Sequence, residues 1–281
     1  MKPFVFIADL FLEDYSGGAE RTTQALIDSC DGEVIKIRSN NLTSDHIEQF
    51  KDCQWIVCNF ANLSPGNKLE ICKNVNYSIV EYDYKFCKHR SLDLHRRLEG
   101  SECNCMDRPE SKINLAFYGL ATKIWFMSIT QKNIFLQYVR TVKEESISVL
   151  SSVFSAGDLR FIDSLKDNLK DDTYLVVKSN SWLKNFEECV KHAQDNNLKY
   201  EAVQNLPYHE LLIKLSTSKG LVCLPSGADT CPRLVIEAKM LGCKLVLNEL
   251  VQHKDEEWFD TSRSCREHMN SRREEFWNFY E

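Results

Sequence analysis

GLVCLPSGADTCPRLVIEAKMLGCKLVLNELVQH, residues Gly220–His253, is the stretch whose reading decides the fold. It opens on a short apolar run, Leu221–Leu224, which reads as a buried strand. A Pro-Ser-Gly turn follows, then Asp229, Thr230, Cys231 and Pro232, and then an amphipathic helix. Pro232 suits the first position of that helix, where its missing N–H would be unpaired anyway. The helix stops near Gly242, and a second apolar run, Lys244–Leu247, comes next. Strand, loop, helix, strand is the unit of a parallel sheet.

The chemistry of this unit sits where loop meets helix. Backbone N–H groups and the positive end of the helix dipole point at the loop, so an anion can dock there. Asp229 stands at the helix mouth and Glu237 two turns into it. A carboxylate beside an apolar helix face calls for a partner, and sugar hydroxyls suit it, because a carboxylate accepts several hydrogen bonds at once. The spacing Asp229-x7-Glu237, with Pro232, Glu237 and Ala238 inside it and Leu241-Gly242 soon after, resembles the donor signature of the GT-B glycosyltransferases. It resembles in particular the signature of the retaining group 1 (family 4) enzymes. That resemblance implies that Glu237 holds the ribose of a nucleotide sugar and that Asp229 contacts the transferred sugar. The backbone around Thr230, Cys231 and Arg233 would hold the diphosphate. The family has Glu in the first acidic position; Asp229 is one methylene shorter.

The chain has 281 residues, which suits two domains of about 120–150 residues better than one core. Hydrophobic residues make up 43% and charged residues 27%, the balance of an ordinary globular protein. No apolar run approaches the roughly 20 residues of a membrane span, so no transmembrane segment is expected. The N-terminus, MKPFVFIADLFLEDY, carries acids early and no small-residue cleavage site, so it reads as a first strand and not as a signal peptide. A cytoplasmic location follows as the expectation. The net charge of −6 argues against a protein that coats nucleic acid through its overall field. The 12 cysteines are many, and several lie in apolar runs, where a thiol behaves as a small buried hydrophobe. In a reducing compartment they are expected to be unpaired.

Phe4–Ala8 reads as the first strand, and a loop then leads to Gly17-Gly18-Ala19-Glu20 and a helix to about Cys30. A Gly pair at a helix N-terminus lets backbone approach a phosphate or a sugar closely. The same four residues resemble the opening loop of group 1 glycosyltransferases, which implies that Gly17 and Gly18 lie under the transferred sugar. Glu33–Ile37, Trp55–Asn59 and Tyr77–Val80 read as further strands, with Leu69–Lys73 a short helix. Ile113–Tyr118 and Lys123–Met127 follow, Ser128 being placed at a strand end, and a charged stretch, Thr141–Ser146, suits a linker.

Three readings compete for Glu81–Cys105. The first is an acceptor site, with Asp83 or His89 near the acceptor hydroxyl and Lys85, Lys88, Arg90, Arg96 and Arg97 as a basic patch. The second is a metal site drawn from Cys87, His89, His95, Cys103 and Cys105, whose residue types suit zinc although the spacing is tighter than usual. The third is a solvated loop with buried thiols.

In the second half, Thr173–Lys178, Lys199–Val203 and Tyr208–Leu215 read as strand, strand and helix, and Trp182–Gln194 as one helix. The segment between strand and helix resembles the family's diphosphate loop, which implies a role for Lys184; the family's Arg has no clear counterpart. Beyond His253 the aromatic residues recur at mixed helical spacings and read as packing groups.

The expected fold class is α/β, GT-B: two Rossmann-like doubly wound parallel-sheet domains facing a cleft, with a C-terminal helix crossing back. The expected boundaries are 1–145 for an acceptor-side domain, 146–262 for a nucleotide-sugar-binding domain and 263–281 for the returning helix. The resemblance implies transfer of a sugar from a nucleotide diphosphate sugar, a UDP-sugar foremost, to an acceptor hydroxyl with retention. No cofactor or metal would be required. Lys184, Arg233 and Asp229 would serve catalysis; Asp83, His89 and Arg90 would face a glycan or lipid-linked glycan. Alternatives are a modified base in viral DNA as acceptor, a non-catalytic nucleotide-sugar binder, and a Cys/His metal-bearing interaction module.

Overall fold

The computed structural model describes residues 2–108 and 111–281. The chain divides into two compact units, Met1–Val153 with Arg273–Glu281, and Phe154–Arg272.

In the first unit the elements run β1 (Phe4–Ala8), α1 (Gly18–Asp28), β2 (Val34–Arg38), α2 (Ser44–Gln49), β3 (Gln54–Val57) and α3 (Pro65–Asn74). They continue as β4 (Asn76–Glu81), α4 (Leu92–Glu99), α5 (Ser111–Gly119), β5 (Lys123–Phe126), α6 (Ile129–Tyr138) and β6 (Ile147–Val149). The six strands form one sheet in the order β2-β1-β3-β4-β5-β6, with all pairings parallel. Every residue of β1 is buried, as expected of a strand covered on both faces, which is why it reads as an unbroken apolar run. The boundary expected at residue 145 is corrected. β6 pairs in register with β5, Ile124 opposite Ile147, so the first sheet ends only after Val149 and the first unit at Val153. The helix expected over Leu69–Lys73 starts earlier, because Ser64 caps it at Asn67 N and Pro65 opens it.

Aromatic side chains fill this core. Tyr77 stacks on Phe117 at 4.9 Å, and its hydroxyl donates to Phe117 O at 2.6 Å, so the phenol is buried without an unmet polar atom. The chain's last residues belong here as well. Trp277 packs edge-on against Phe4 at 4.8 Å and donates from Nε1 to Leu26 O and Ser29 Oγ; the Tyr280 hydroxyl bonds to Ser78. These aromatics are packing groups, as their spacing suggests.

The second unit contains α7 (Ala156–Leu165), β7 (Tyr174–Val177), α8 (Phe186–Asp195), β8 (Tyr200–Val203), α9 (Tyr208–Thr217) and β9 (Gly220–Cys223). Then come α10 (Arg233–Met240), β10 (Lys244–Leu247) and α11 (Ser262–Trp277), whose end from Arg273 counts with the first unit. Its four strands are parallel, in the order β10-β9-β7-β8. Gly220 is required at the head of β9: a Cβ there would come within 2.4 Å of the Tyr174 ring and 2.5 Å of Lys244 O. Cys189 packs with Tyr174, Val176, Val222 and Leu224, a thiol used as a small hydrophobe. Two local expectations shift. Pro232 is the N-cap of α10 and not its first residue. The single helix expected over Trp182–Gln194 is split into a 3-10 turn, Trp182–Lys184, and α8, because Asn185 between them adopts the left-handed conformation (φ 49°) that Asn tolerates.

Candidate functional site

In the second sheet β7 leads outward to β8 and β9 leads the other way to β10. Ligands of open α/β sheets bind beyond the carboxyl ends of strands at such a reversal. The loops that follow β7 and β9 are laced together there. Ser226 N–H donates to Leu183 O at 3.1 Å and its hydroxyl to Trp182 O at 2.5 Å, while the Asn185 amide donates to Leu224 O at 3.0 Å. The left-handed turn at Asn185 ends the 3-10 turn at Lys184. Lys184 Nζ then stands 2.9 Å from Asp229 Oδ2, with 40% and 12% of the two side chains exposed. Asp229 is fixed through its backbone, which donates to Leu250 O at 2.8 Å and accepts from Gln252 N at 3.1 Å. The structure thus brings together the lysine and the aspartate singled out in sequence, 45 residues apart.

Thr230 and Cys231 complete the loop and are buried at 8% exposure each. Arg233 and Glu237 face inward. Arg233 Nε donates to Glu237 Oε1 at 3.0 Å; its Nη2 reaches Asp158 Oδ2 at 2.7 Å and the Tyr208 hydroxyl at 3.3 Å. The guanidinium also lies over the Phe154 ring, 3.7 Å from its centroid. Tyr208 donates to Glu237 Oε1 at 2.7 Å. Burial, then the Glu237 carboxylate, pushes the Tyr208 phenol up, so it stays protonated and serves as a donor. Arg233 and Glu237 are one turn apart, and their side chains are 4% and 3% exposed.

In the first sheet the corresponding reversal lies between β1 and β3. Asp9, directly after β1, receives the N–H groups of Ala61 and Asn62 at 3.0 Å each and the hydroxyl of Ser39. Gly17 and Gly18 open α1 as N-cap and first residue. A Cβ at Gly17 would come within 2.4 Å of Glu20 Oε2 and 2.6 Å of the Tyr15 ring. Burial pushes the Glu20 carboxyl above its usual range.

The excursion after β4 separates the residues that the sequence grouped. Arg90, itself at φ 57°, donates from Nε to Asp83 Oδ2 at 2.8 Å and from Nη2 to Asn59 Oδ1 at 3.3 Å. His89 turns away from both and meets Glu99 Oε1 at 3.0 Å. Local carboxylates meet four of the five cations expected to form a basic patch here, Lys85, Lys88, Arg90 and Arg96. Lys85 is buried against Glu81 at 2.9 Å and Asp83 at 3.2 Å; Lys88 pairs with Glu99 at 2.7 Å and Arg96 with Glu102 at 2.8 Å. Ser128 is likewise a structural residue, capping α6 at Gln131 N. Of the five residues weighed as metal ligands, Cys87, His95, Cys103 and Cys105 converge and His89 does not.

Sequence reading missed Asp9, Asp158 and Tyr208. Asp9 had a usable signal, a carboxylate at the end of the first strand. Asp158 and Tyr208 had none, since only the packing of α7 and α9 places them beside α10.

No family model matches the chain, and no curated protein matches it. Solved structures do, at low identity. An OtsA apo structure aligns over 99% of this chain and 95% of its own, with 9% identity and a TM-score of 0.60. Sucrose-phosphate synthase from Thermosynechococcus elongatus aligns over 100% and 98%, with 10% identity and a TM-score of 0.55. HepE of Anabaena, in complex with UDP and glucose, aligns over 98% and 96%, with 9% identity and a TM-score of 0.54. At these identities the likeness is one of fold, and the fold is α/β, of the GT-B kind.

Proposed function

We propose that the chain is a glycosyltransferase that moves a sugar from a nucleotide diphosphate sugar to an acceptor hydroxyl, with retention. The observation that carries this reading is the Lys184–Asp229 pair at the strand reversal of a GT-B sheet, 2.9 Å apart and partly exposed. The ammonium would stabilise charge on the leaving diphosphate, together with the backbone of Thr230, Cys231 and Arg233 at the mouth of α10. Asp229 would exchange its lysine for hydroxyls of the sugar. Glu237, oriented by Arg233 and Tyr208, would take the ribose. Gly17 and Gly18 would let backbone approach the transferred sugar. In the first unit Asp83, held by Arg90, would meet the acceptor, a glycan or lipid-linked glycan. DNA is the weaker acceptor, since the cations of residues 85–96 named above are paired with carboxylates. The presence of UDP in the HepE structure makes a UDP-sugar the first donor to try. No cofactor is proposed for the transfer.

A thermal-shift panel of UDP, GDP, ADP, CMP and TDP and their sugars, with and without EDTA, tests the donor site. A ligand held only by the folded chain raises the melting temperature as ln(1 + [L]/Kd). One base standing out in wild type, and failing to shift Lys184→Ala, supports the reading. No shift with any nucleotide removes it.

A further inference from the structure

Residues 82–108 leave β4 and return toward α5, with Tyr84 and Phe86 buried at the start of the excursion. Their one α-helix, α4, has a single buried residue among those described, and that residue is His95; Leu98 on the same helix is 60% exposed. A helix normally docks through an apolar stripe. Here an imidazole takes that place, and it faces sulfur. His95 Nδ1 lies 3.5 Å from Cys87 Sγ and 3.7 Å from Cys105 Sγ. Cys103 completes the group, and the four donor atoms all lie within 4.8 Å of one another. Exposure is 1% for Cys87, 0% for His95, 9% for Cys103 and 5% for Cys105.

The geometry points to a structural zinc site of the Cys3His type, formed by Cys87, His95, Cys103 and Cys105. A tetrahedral zinc ion with bonds of about 2.3 Å to sulfur and about 2.05 Å to nitrogen places its sulfur and nitrogen donors about 3.6 Å apart, which is the separation seen between His95 Nδ1 and two of the thiols. Four protein donors leave no open position, so the ion would hold the fold and not activate water. Three thiols and one imidazole select zinc over magnesium or calcium, which take oxygen donors. The backbone contributes as well: Lys88 N–H donates to Cys105 Sγ at 3.5 Å, a bond that favours thiolate. A disulfide would use two of the three sulfurs and leave the third facing the imidazole, and all of these cysteines are unpaired. Cys189, by contrast, packs among apolar side chains, with no second sulfur in its cluster. The pattern Cys-x7-His-x7-Cys-x-Cys lies within one short segment, so the ion would pin both ends of α4 to the turn at Cys87. This site is independent of the proposed sugar transfer.

The test is metal analysis of the full chain, made without a polyhistidine tag and with thiols kept reduced. About one zinc per chain is expected. Co(II) put in its place should give thiolate charge-transfer bands and the intense visible bands of a tetrahedral ion. His95→Ala should lose the metal, His95→Cys should keep it as a four-sulfur site, and His89→Ala should keep it unchanged. Stripping zinc should lower the melting temperature. If the His95 variants fail to fold, the Co(II) spectrum of wild type still decides. Folded wild type without zinc and without the charge-transfer bands would overturn the assignment, as would full zinc retention in Cys87→Ser/Cys105→Ser.

Discussion

Two ion pairs, Arg233–Glu237 and Lys184–Asp229, meet at the loop and helix that follow β9 and differ in what surrounds them. Arg233 and Glu237 have side chains 4% and 3% exposed, and Asp158, Tyr208 and the face of Phe154 enclose them further. Lys184 and Asp229 have side chains 40% and 12% exposed and stand at the strand ends. A buried charge must keep its partner, because removing one member strands the other away from water. A half-exposed pair gains little from its own attraction, because water screens it. The first pair therefore stays together, with Arg233 fixing the carboxylate of Glu237 that is proposed to take the ribose. The second can exchange its partner for a ligand's phosphate or hydroxyl groups.

Substitutions can break this contrast, beginning with the largest effect. Arg233→Met should cost about 3–5 kcal/mol of stability, because the carboxylates of Glu237 and Asp158 lose their buried cation; a denaturant melt measures it. Loss under 1 kcal/mol would mean that the Arg233 network is not structural. Adding Glu237→Gln to Arg233→Met should recover part of the loss, since a neutral amide costs less to bury than an unpaired carboxylate.

Lys184→Ala should do the reverse, leaving stability within about 1 kcal/mol. Donor affinity should fall about ten- to a hundredfold, the worth of a hydrogen bond to a charged group. Calorimetric titration with the nucleotide that wild type selects gives the second figure. Equal affinity in the two proteins would place the diphosphate elsewhere.

The smallest effect concerns acid. His253 is fully buried and stacked on Trp258 at 5.3 Å, and neither ring nitrogen has a hydrogen-bond partner among the described residues. Burial pulls its pKa from 6.5 down to about 3. The unfolded chain takes up this proton below about 6.5, whereas the folded chain refuses it until about 3. The stability contributed by neutral His253 is thus complete above 6.5 and is lost progressively as pH falls toward 3. Burial shifts His268 to about 3 as well, adding to the same slope. His253→Phe keeps the stack and removes the proton, so its melting temperature should fall less between pH 7 and pH 5 than that of wild type. Parallel curves would assign the acid sensitivity to other groups.

Much of this fold was legible because strands covered on both faces must be apolar runs, and Phe4–Ala8 and Leu221–Leu224 show it. The misjudged points have local physical causes. β6 is three residues long with Ser148 in its centre, too short and too polar to stand out beside the charged stretch before it. Asn185 looks like any helical residue until its left-handed backbone is seen. For the site, Lys184 and Asp229 could be chosen one at a time, but their meeting depends on two loops bonded across the sheet. Arg233 and Glu237 carried an i, i+4 spacing that already hinted at a pair. Their burial depends on Asp158 and Tyr208, which come from other helices. The basic run Lys85–Arg97 read as a patch because sequence shows charges in line and not the carboxylates that fold back on them.

The most direct measurement is release of nucleoside diphosphate from the nucleotide sugar that wild type binds, followed over time with water or a glycan acceptor, alongside Lys184→Ala. The expected result is slow release in water, faster release with a suitable acceptor, and at least about a tenfold drop in Lys184→Ala, matching loss of one charged hydrogen bond. Release no faster in wild type than in Lys184→Ala, with every acceptor tried, would contradict sugar transfer at the Lys184–Asp229 site.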